Sequence, residues 1–366
     1  MRDQNAEQLL AKVMGWQDYS IVSQNVPKLQ LLADFKYDHY HRFSPGKRFV
    51  ENLALWLNQF DAPDRAAALD FVLRKLVFIS DLEFSHLVQI SYPDVITQER
   101  LRLVAEEQLI APHRIGRAAN HPRFTELAIK SLYLGLSDGA RTNELRRASD
   151  GEISNEQIWH AYELGSEKIT DMLNELSEAL GRFRFDSRDS KFNLIWLVDD
   201  FSGSGNTYIR PTNEAGVFKG KLPKVYEQLH REGLVDPGYY EVFLLLYVAT
   251  RQAIDHIEYW AERFTSENGY KPLRLRVLSV IERQMSVQDD PDIQSLLTNS
   301  RYCDLKAADK HFAIGGNNDP RLGFARCALP VVLSHNTPNN SIYILWGPET
   351  FEFFGLFPRV SRHREF

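Results

Sequence analysis

Apolar and polar positions follow two regimes along this chain, and the change falls near residue 115. Before it, apolar residues recur at helical spacing. Leu9, Leu10, Val13 and Met14 make one short face, and Phe49, Leu53, Leu55, Trp56 and Phe60 make another. Residues 66–79 continue in the same style, residues 81–85 open a short helix, and Thr97 is placed to cap the next. After residue 115 the apolar residues gather into unbroken runs at 194–198 and 242–249, and into a third, interrupted by Arg274, Arg276 and Ser279, at 273–281, each ending in polar residues. Such runs read as strands buried on both faces of a parallel sheet. Residues 132–136 read either as a strand or as the end of a helix that starts near Phe124. Helical patterns separate the runs. Ser154 and Gln157 match a capping box, opening a long helix with Ile169, Met172, Leu173, Leu176 and Leu180 on one face and Gly181 as C-cap. Residues 223–232 and the face Ile254, Ile257, Trp260, Phe264 supply two more. Alternation of this kind predicts a parallel sheet with right-handed crossovers. The expected organisation is a helical amino-terminal domain over 1–115, docking or winged-helix-like, and an α/β domain over 116–366.

The run at 194–198 is the most informative, because two acids and a small-residue loop follow it. Asp199 and Asp200 come first, then Ser202, Gly203, Ser204, Gly205, Asn206 and Thr207. Ligands of open α/β sheets bind beyond the carboxyl ends of the strands. A Gly/Ser/Thr loop there can aim backbone N–H groups and hydroxyls at one phosphate, and paired carboxylates suit a sugar diol or a magnesium-bound diol. Other motifs fail on spacing. A dinucleotide fingerprint beginning at Gly203 and Gly205 meets Tyr208 where its third glycine belongs, residues 216–221 miss the P-loop pattern, and Ser204 lacks the flanking glycines of a nucleophile elbow.

Residues 195–207 resemble the thirteen-residue phosphoribosyl-pyrophosphate (PRPP) motif of type I phosphoribosyltransferases: four apolar residues, two acids, then a hydroxyl-rich loop closing on Gly205-Asn206-Thr207. Ser202 and Gly203 depart from it, standing where an aliphatic residue and a hydroxyl or acid are usual. The resemblance implies a parallel-sheet α/β fold of that type. It also implies that Asp199 and Asp200 hold the ribose hydroxyls, and through them magnesium, while Ser202 to Thr207 wrap the 5′-phosphate. An upstream loop, Asp138-Gly139-Ala140-Arg141, would grip pyrophosphate, with Gly139 free to adopt an unusual backbone conformation and Arg141 as a bidentate donor. Thr250 and Arg251, at the end of the next strand, are candidates for the base or acceptor side. The chain also resembles phosphoribosyltransferase-like proteins encoded in bacterial anti-phage conflict loci, some beside retron reverse transcriptases. That resemblance implies an effector transferring or cleaving a phosphoribosyl group, with PRPP or a nucleotide as ligand. Its partners would come from the same locus, a reverse transcriptase with its RNA among them. The alternative is a catalytically degenerate nucleotide-binding or scaffold subunit.

Bulk properties narrow the classes. The formal net charge of −6 argues against a surface built for nucleic acid. Residues 112–147 are locally basic, which keeps a nucleic-acid-binding regulator as a third reading, but most charge runs are solvated faces. Two cysteines, Cys303 and Cys327, make neither a metal motif nor a disulfide framework. With no apolar signal core at the amino terminus and no run long enough to span a bilayer, the expected compartment is the cytoplasm. After Thr207, residues 208–220 contain Pro211, Gly216 and Gly220 where the family usually starts a helix, which predicts an extended insert. Its Arg210 and Lys219, with Lys221 beside it, read first as a solvated face. The run 335–340 (H-N-T-P-N-N) reads as a loop of Asx-turns and a proline corner.

Overall fold

Five strands build the sheet that the alternation predicts: β1 (Ser131–Gly135), β2 (Ile158–His160), β3 (Leu194–Ser202), β4 (Glu241–Thr250) and β5 (Leu273–Ile281). All are parallel, in the order β2-β1-β3-β4-β5. The computed structural model describes residues 3–43, 47–161, 166–188, 190–214, 216–308 and 312–359. Residues 132–135 belong to a strand, because they pair in parallel with β2 and β3, and β1 is fully buried. β4 is buried almost throughout, whereas β5 is only partly covered, because it is an edge strand in which Arg274 and Arg276 alternate with leucines. Arg274 bonds Glu241 and Arg276 bonds Glu99, so the exposed edge carries ion pairs.

The helices that cover the sheet form where apolar periodicity placed them, with shifted ends. Ser154 and Gln157 do make a capping box, but it closes one short 3₁₀ turn ahead of β2. Gln157 donates from its amide to the carbonyls of Ala128 and Ser131, which ties that turn to β1. The long helix starts later, Ser166–Arg182, and Gly181 lies inside its last turn. Ile169, Met172, Leu176 and Leu180 are buried with Ile195, Leu197, Leu244 and Leu246 of the central strands. Helices Lys221–Arg231 and Arg251–Asn268 contribute Leu222, Val225, Tyr226, Leu229, Ile254 and Ile257 to the same cluster. Thr97 does not cap its helix; a π-helical turn, Tyr92–Ile96, runs directly into it.

The chain divides otherwise than at 115. One compact unit is Phe84–Ile281, which holds the sheet; the other joins Met1–Glu83 with Glu282–Phe366. The carboxyl-terminal segment belongs with the first helices because it supplies their missing partners. Val331–Leu333 pairs in parallel with Val77–Ile79, a strand in a region expected to stay helical. Trp56 donates from its indole to the carbonyl of Ile344 at 2.9 Å. The polar run at 335–340 serves the same packing: Thr337 is buried and donates to the carbonyl of Phe357 at 2.8 Å, with the Tyr40 hydroxyl 3.0 Å away. No helix among the described residues is long and apolar enough to cross a membrane.

Candidate functional site

Strand β3 outruns β1. Their register ends at Gly135 opposite Val198, whereas β3 continues against β4 through Asp199, Phe201 and Ser202. On the β1 side, Asp199 and Asp200 therefore meet the loop that leaves Gly135. In a sheet of order 2-1-3-4-5 the crossovers diverge between β1 and β3, which is where such sheets open a ligand crevice. The acids are strand residues, not the start of the loop. Successive strand residues point to opposite faces, so Asp199 and Asp200 present their carboxylates on opposite sides of the sheet edge.

Asp199 is only 2% exposed and heavily engaged. One carboxylate oxygen accepts from the Ser137 hydroxyl and from the Asp200 amide at 3.2 Å. The other accepts from the Tyr208 hydroxyl at 2.8 Å and from the Lys221 ammonium at 2.7 Å. An ionised carboxylate offers about four lone-pair directions, and these contacts fill them. Burial pushes the Asp199 carboxyl above the ordinary range; the Lys221 ammonium opposes this and the Asp200 charge adds to it. Burial and the Asp199 charge raise the Tyr208 phenol well above its usual value, so it stays a donor. Both acids were expected to hold ribose; the structure has Asp199 tying together three segments of the site. Tyr208 and Ser137 were not picked out as site residues.

Asp200 is half-buried, with one oxygen accepting from the Phe201 amide at 2.8 Å. Its carboxylate lies against the upstream loop: a Cβ built on Gly139 would stand 2.2 Å from the other oxygen. Gly139 is needed for this close approach, not for an unusual backbone. The left-handed residue is its neighbour Arg141 (φ 50°, ψ 35°), a conformation that costs an L-residue about 1–2 kcal/mol. Ser137 opens the loop, donating to Asp199 while accepting from the Gly139 amide at 3.2 Å. Asp138 is exposed. Ala140 is buried, and its carbonyl accepts from Tyr247 at 3.2 Å. The Arg141 guanidinium stands over the Phe84 ring and pairs with Glu144 at 3.3 Å. The structure thus brings 137–141 and the acid pair together.

The loop after β3 is held from below. Ser202 ends the strand, buried. Thr250 donates from its hydroxyl to the Gly203 carbonyl at 2.6 Å while accepting from the Ala253 amide as N-cap of Arg251–Asn268. Thr250 therefore anchors the loop instead of facing an acceptor base. Arg251 is half-buried at the first turn of that helix. Gly205 has φ +79° and packs so closely on the helix that a Cβ would meet the Ala253 carbonyl at 3.0 Å and the His256 ring at 2.8 Å. The Ser204 hydroxyl accepts weakly from the Asn206 amide at 3.4 Å. The Asn206 carbonyl accepts from Arg210 at 3.0 Å, and that of the exposed Thr207 from the Lys221 amide at 3.0 Å. Among the described residues, the backbone N–H groups of Ser204, Gly205 and Thr207 have no protein acceptor. Ser204 and Gly205 are buried, and an unsatisfied buried donor costs about 1–3 kcal/mol. Consecutive unpaired amides around a left-handed glycine form the kind of concavity that binds anions.

The segment after Thr207 is extended, as its prolines and glycines predict: Arg210–Pro211 pairs antiparallel with Phe218–Lys219 before the helix begins at Lys221. In the basic stretch at 112–147, Arg123 is bound by Glu107 and Glu126, and Lys130 by Glu126, so much of that charge is spent inside the protein. The described residues contain no group of three His, Cys, Asp or Glu side chains able to hold a metal ion. A magnesium ion here would take most of its oxygens from a ligand, which is its habit at phosphate sites.

A family model described as PRTase-CE matches residues 53–359. No curated protein and no solved structure matches the chain.

Proposed function

The chain belongs to the PRTase-CE family and is a phosphoribosyltransferase-like protein, and from that premise we propose that it binds PRPP or a nucleotide at the β1–β3 crevice and transfers or cleaves the phosphoribosyl group. The observation that carries this reading is the meeting of two loops: Asp200 lies against Gly139 while Ser137 bonds Asp199. A phosphoribosyl ligand needs its 5′-phosphate and its C1 leaving group held at once, on two sides of the ribose. The free amides of Ser204, Gly205 and Thr207 take the 5′-phosphate. Asp200 accepts from the ribose hydroxyls. The Arg141 guanidinium, at the end of the Asp138–Arg141 loop, holds pyrophosphate; magnesium, if bound with the ligand, would offset the charge on that leaving group. Asp199 positions both loops through Ser137, Tyr208 and Lys221. The C1 bond breaks with its electron pair leaving on pyrophosphate or a base, and an acceptor base or water bonds to C1. Positive charge grows on the ribose as this happens, near the Asp200 carboxylate. Such chemistry is driven by positioning and charge stabilisation and needs no protein nucleophile.

The role extends to an effector of a bacterial anti-phage system, acting with protein partners from its locus. A second reading, a nucleotide-binding or scaffold subunit without turnover, is favoured by one observation: Asp199 is fully occupied by its own protein. Calorimetric titration of PRPP, with and without magnesium, into wild type and Asp200→Asn tests the site. Micromolar binding, about −8 kcal/mol, that is lost in the variant supports it. Binding without release of pyrophosphate or ribose 5-phosphate on incubation selects the scaffold reading, and no binding in wild type rejects the site.

A further inference from the structure

Beyond Thr207 lies a groove of about 570 Å³ lined by Thr207, Arg210, Lys219, Lys221, Lys224 and Glu227, among others. Four cations face one acid there. Lys221 is engaged by Asp199 and Arg210 touches only a carbonyl. Lys219 and Lys224 are exposed, and neither they nor Arg210 has an ion pair among the described residues. Arg210 and Lys219 are also direct partners in the two-stranded ladder. Directly opposed residues project from the same face, and like charges there repel and destabilise the pairing. A loop that only needed solubility would do better with opposite or scattered charges. The hairpin holds its charges together against that cost, along a groove that the last residue of the phosphate loop also lines.

We propose that this groove binds a second phosphate group joined to the 5′-phosphate, so that among nucleotides the site takes a pyrophosphate-linked dinucleotide in preference to one whose 5′-phosphate is free. The inference rests on the phosphate-loop reading above. If Ser204 to Thr207 hold a 5′-phosphate, whatever is esterified to it passes Thr207 into this groove. Two adjacent phosphates match a short row of cations. The cavity has room for one further nucleotide, within the usual range for small-ligand sites. A long polyanion is disfavoured by the net charge of −6.

The test compares adenosine 5′-monophosphate with P1,P2-di(adenosine-5′) diphosphate by calorimetry, using wild type and a Lys219→Glu/Lys224→Glu variant of the full chain. Wild type is expected to bind the dinucleotide at least tenfold more tightly than the monophosphate. The variant is expected to lose that advantage while its monophosphate affinity stays within about twofold. Equal affinity for the two ligands in wild type overturns the extension and leaves the site reading intact. A wild type that binds neither ligand overturns the extension, and the PRPP titration described above decides the site reading separately. Tighter binding of a phosphodiester-linked oligonucleotide than of the dinucleotide overturns the assignment of ligand class.

Discussion

Substituting Gly139 by alanine separates binding from folding. A methyl group there would stand 2.2 Å from one Asp200 carboxylate oxygen, 2.7 Å from its Cγ and 3.2 Å from the other oxygen. Ordinary contact begins near 3.4 Å, so the carboxylate must retreat by about 1.2 Å, the difference between 3.4 and 2.2. The obstructing atoms are the end of a short side chain, and Gly139 is not among the positive-φ positions. The fold therefore absorbs the change by turning Asp200 off its rotamer, at roughly 0.5–1.5 kcal/mol. In a domain of this size that lowers the melting temperature by about 2–5 °C. A displacement of about 1 Å at a reacting group can cost on the order of a hundredfold in rate. Gly139→Ala should accordingly melt within about 5 °C of wild type while losing PRPP affinity or turnover by one to two orders of magnitude. Calorimetry and differential scanning fluorimetry on one preparation read both quantities. Wild-type affinity in a well-folded Gly139→Ala protein would refute the placement of Asp200 at the ligand.

Three further outcomes follow from the contacts around the loop. Thr250→Val removes the bond to the Gly203 carbonyl and the N-cap of Arg251–Asn268 together; it should destabilise by about 1–2 kcal/mol, read by urea denaturation. Lys221→Met leaves the Asp199 carboxylate buried with no cation, a loss of about 3–5 kcal/mol, and adding Asp199→Asn should recover part of it. His256 donates from its ring to the Ile209 carbonyl at 2.8 Å, and burial holds its imidazole below the ordinary value. The unfolded chain then takes up the proton first as pH falls. The stability His256 contributes is complete above about pH 6.5 and is lost as pH falls through the lower folded value. Melting curves between pH 7.5 and 5 should show wild type falling more steeply than His256→Gln; parallel curves would refute it.

The sheet and its crevice were legible because buried parallel strands leave unbroken apolar runs, and 194–198 and 242–249 are such runs. The resemblance of 195–207 to the PRPP motif drew attention to the segment that lies at the switch point. The upstream loop was legible through Asp138, Gly139 and Arg141 and the order of motifs along the chain. Its mechanics were not, because a close approach and a left-handed φ both favour glycine in a sequence, and only coordinates separate Gly139 from Arg141. The division of the two acids was hidden for a similar reason. Adjacent carboxylates look equivalent until strand parity sends them to opposite faces, and the partners of Asp199 come from 62, 9 and 22 residues away. The domain boundary misled because a pattern that opens helices at residues 81–85 and at Thr97 does not say which core those helices cover. Val77–Ile79 escaped because a three-residue strand carries almost no period, and its partner Val331–Leu333 is distant in the chain.

On the proposed function, one ligand spans both loops of the crevice. Amide resonances of protein labelled with [15N]glycine, followed while PRPP and magnesium are added, test it most directly. The account predicts that the amides of Gly139 and Gly205 shift together, with one midpoint, and that both stay unmoved in Asp200→Asn. Shifts at only one of the two, or at neither while PRPP binds elsewhere, would contradict it.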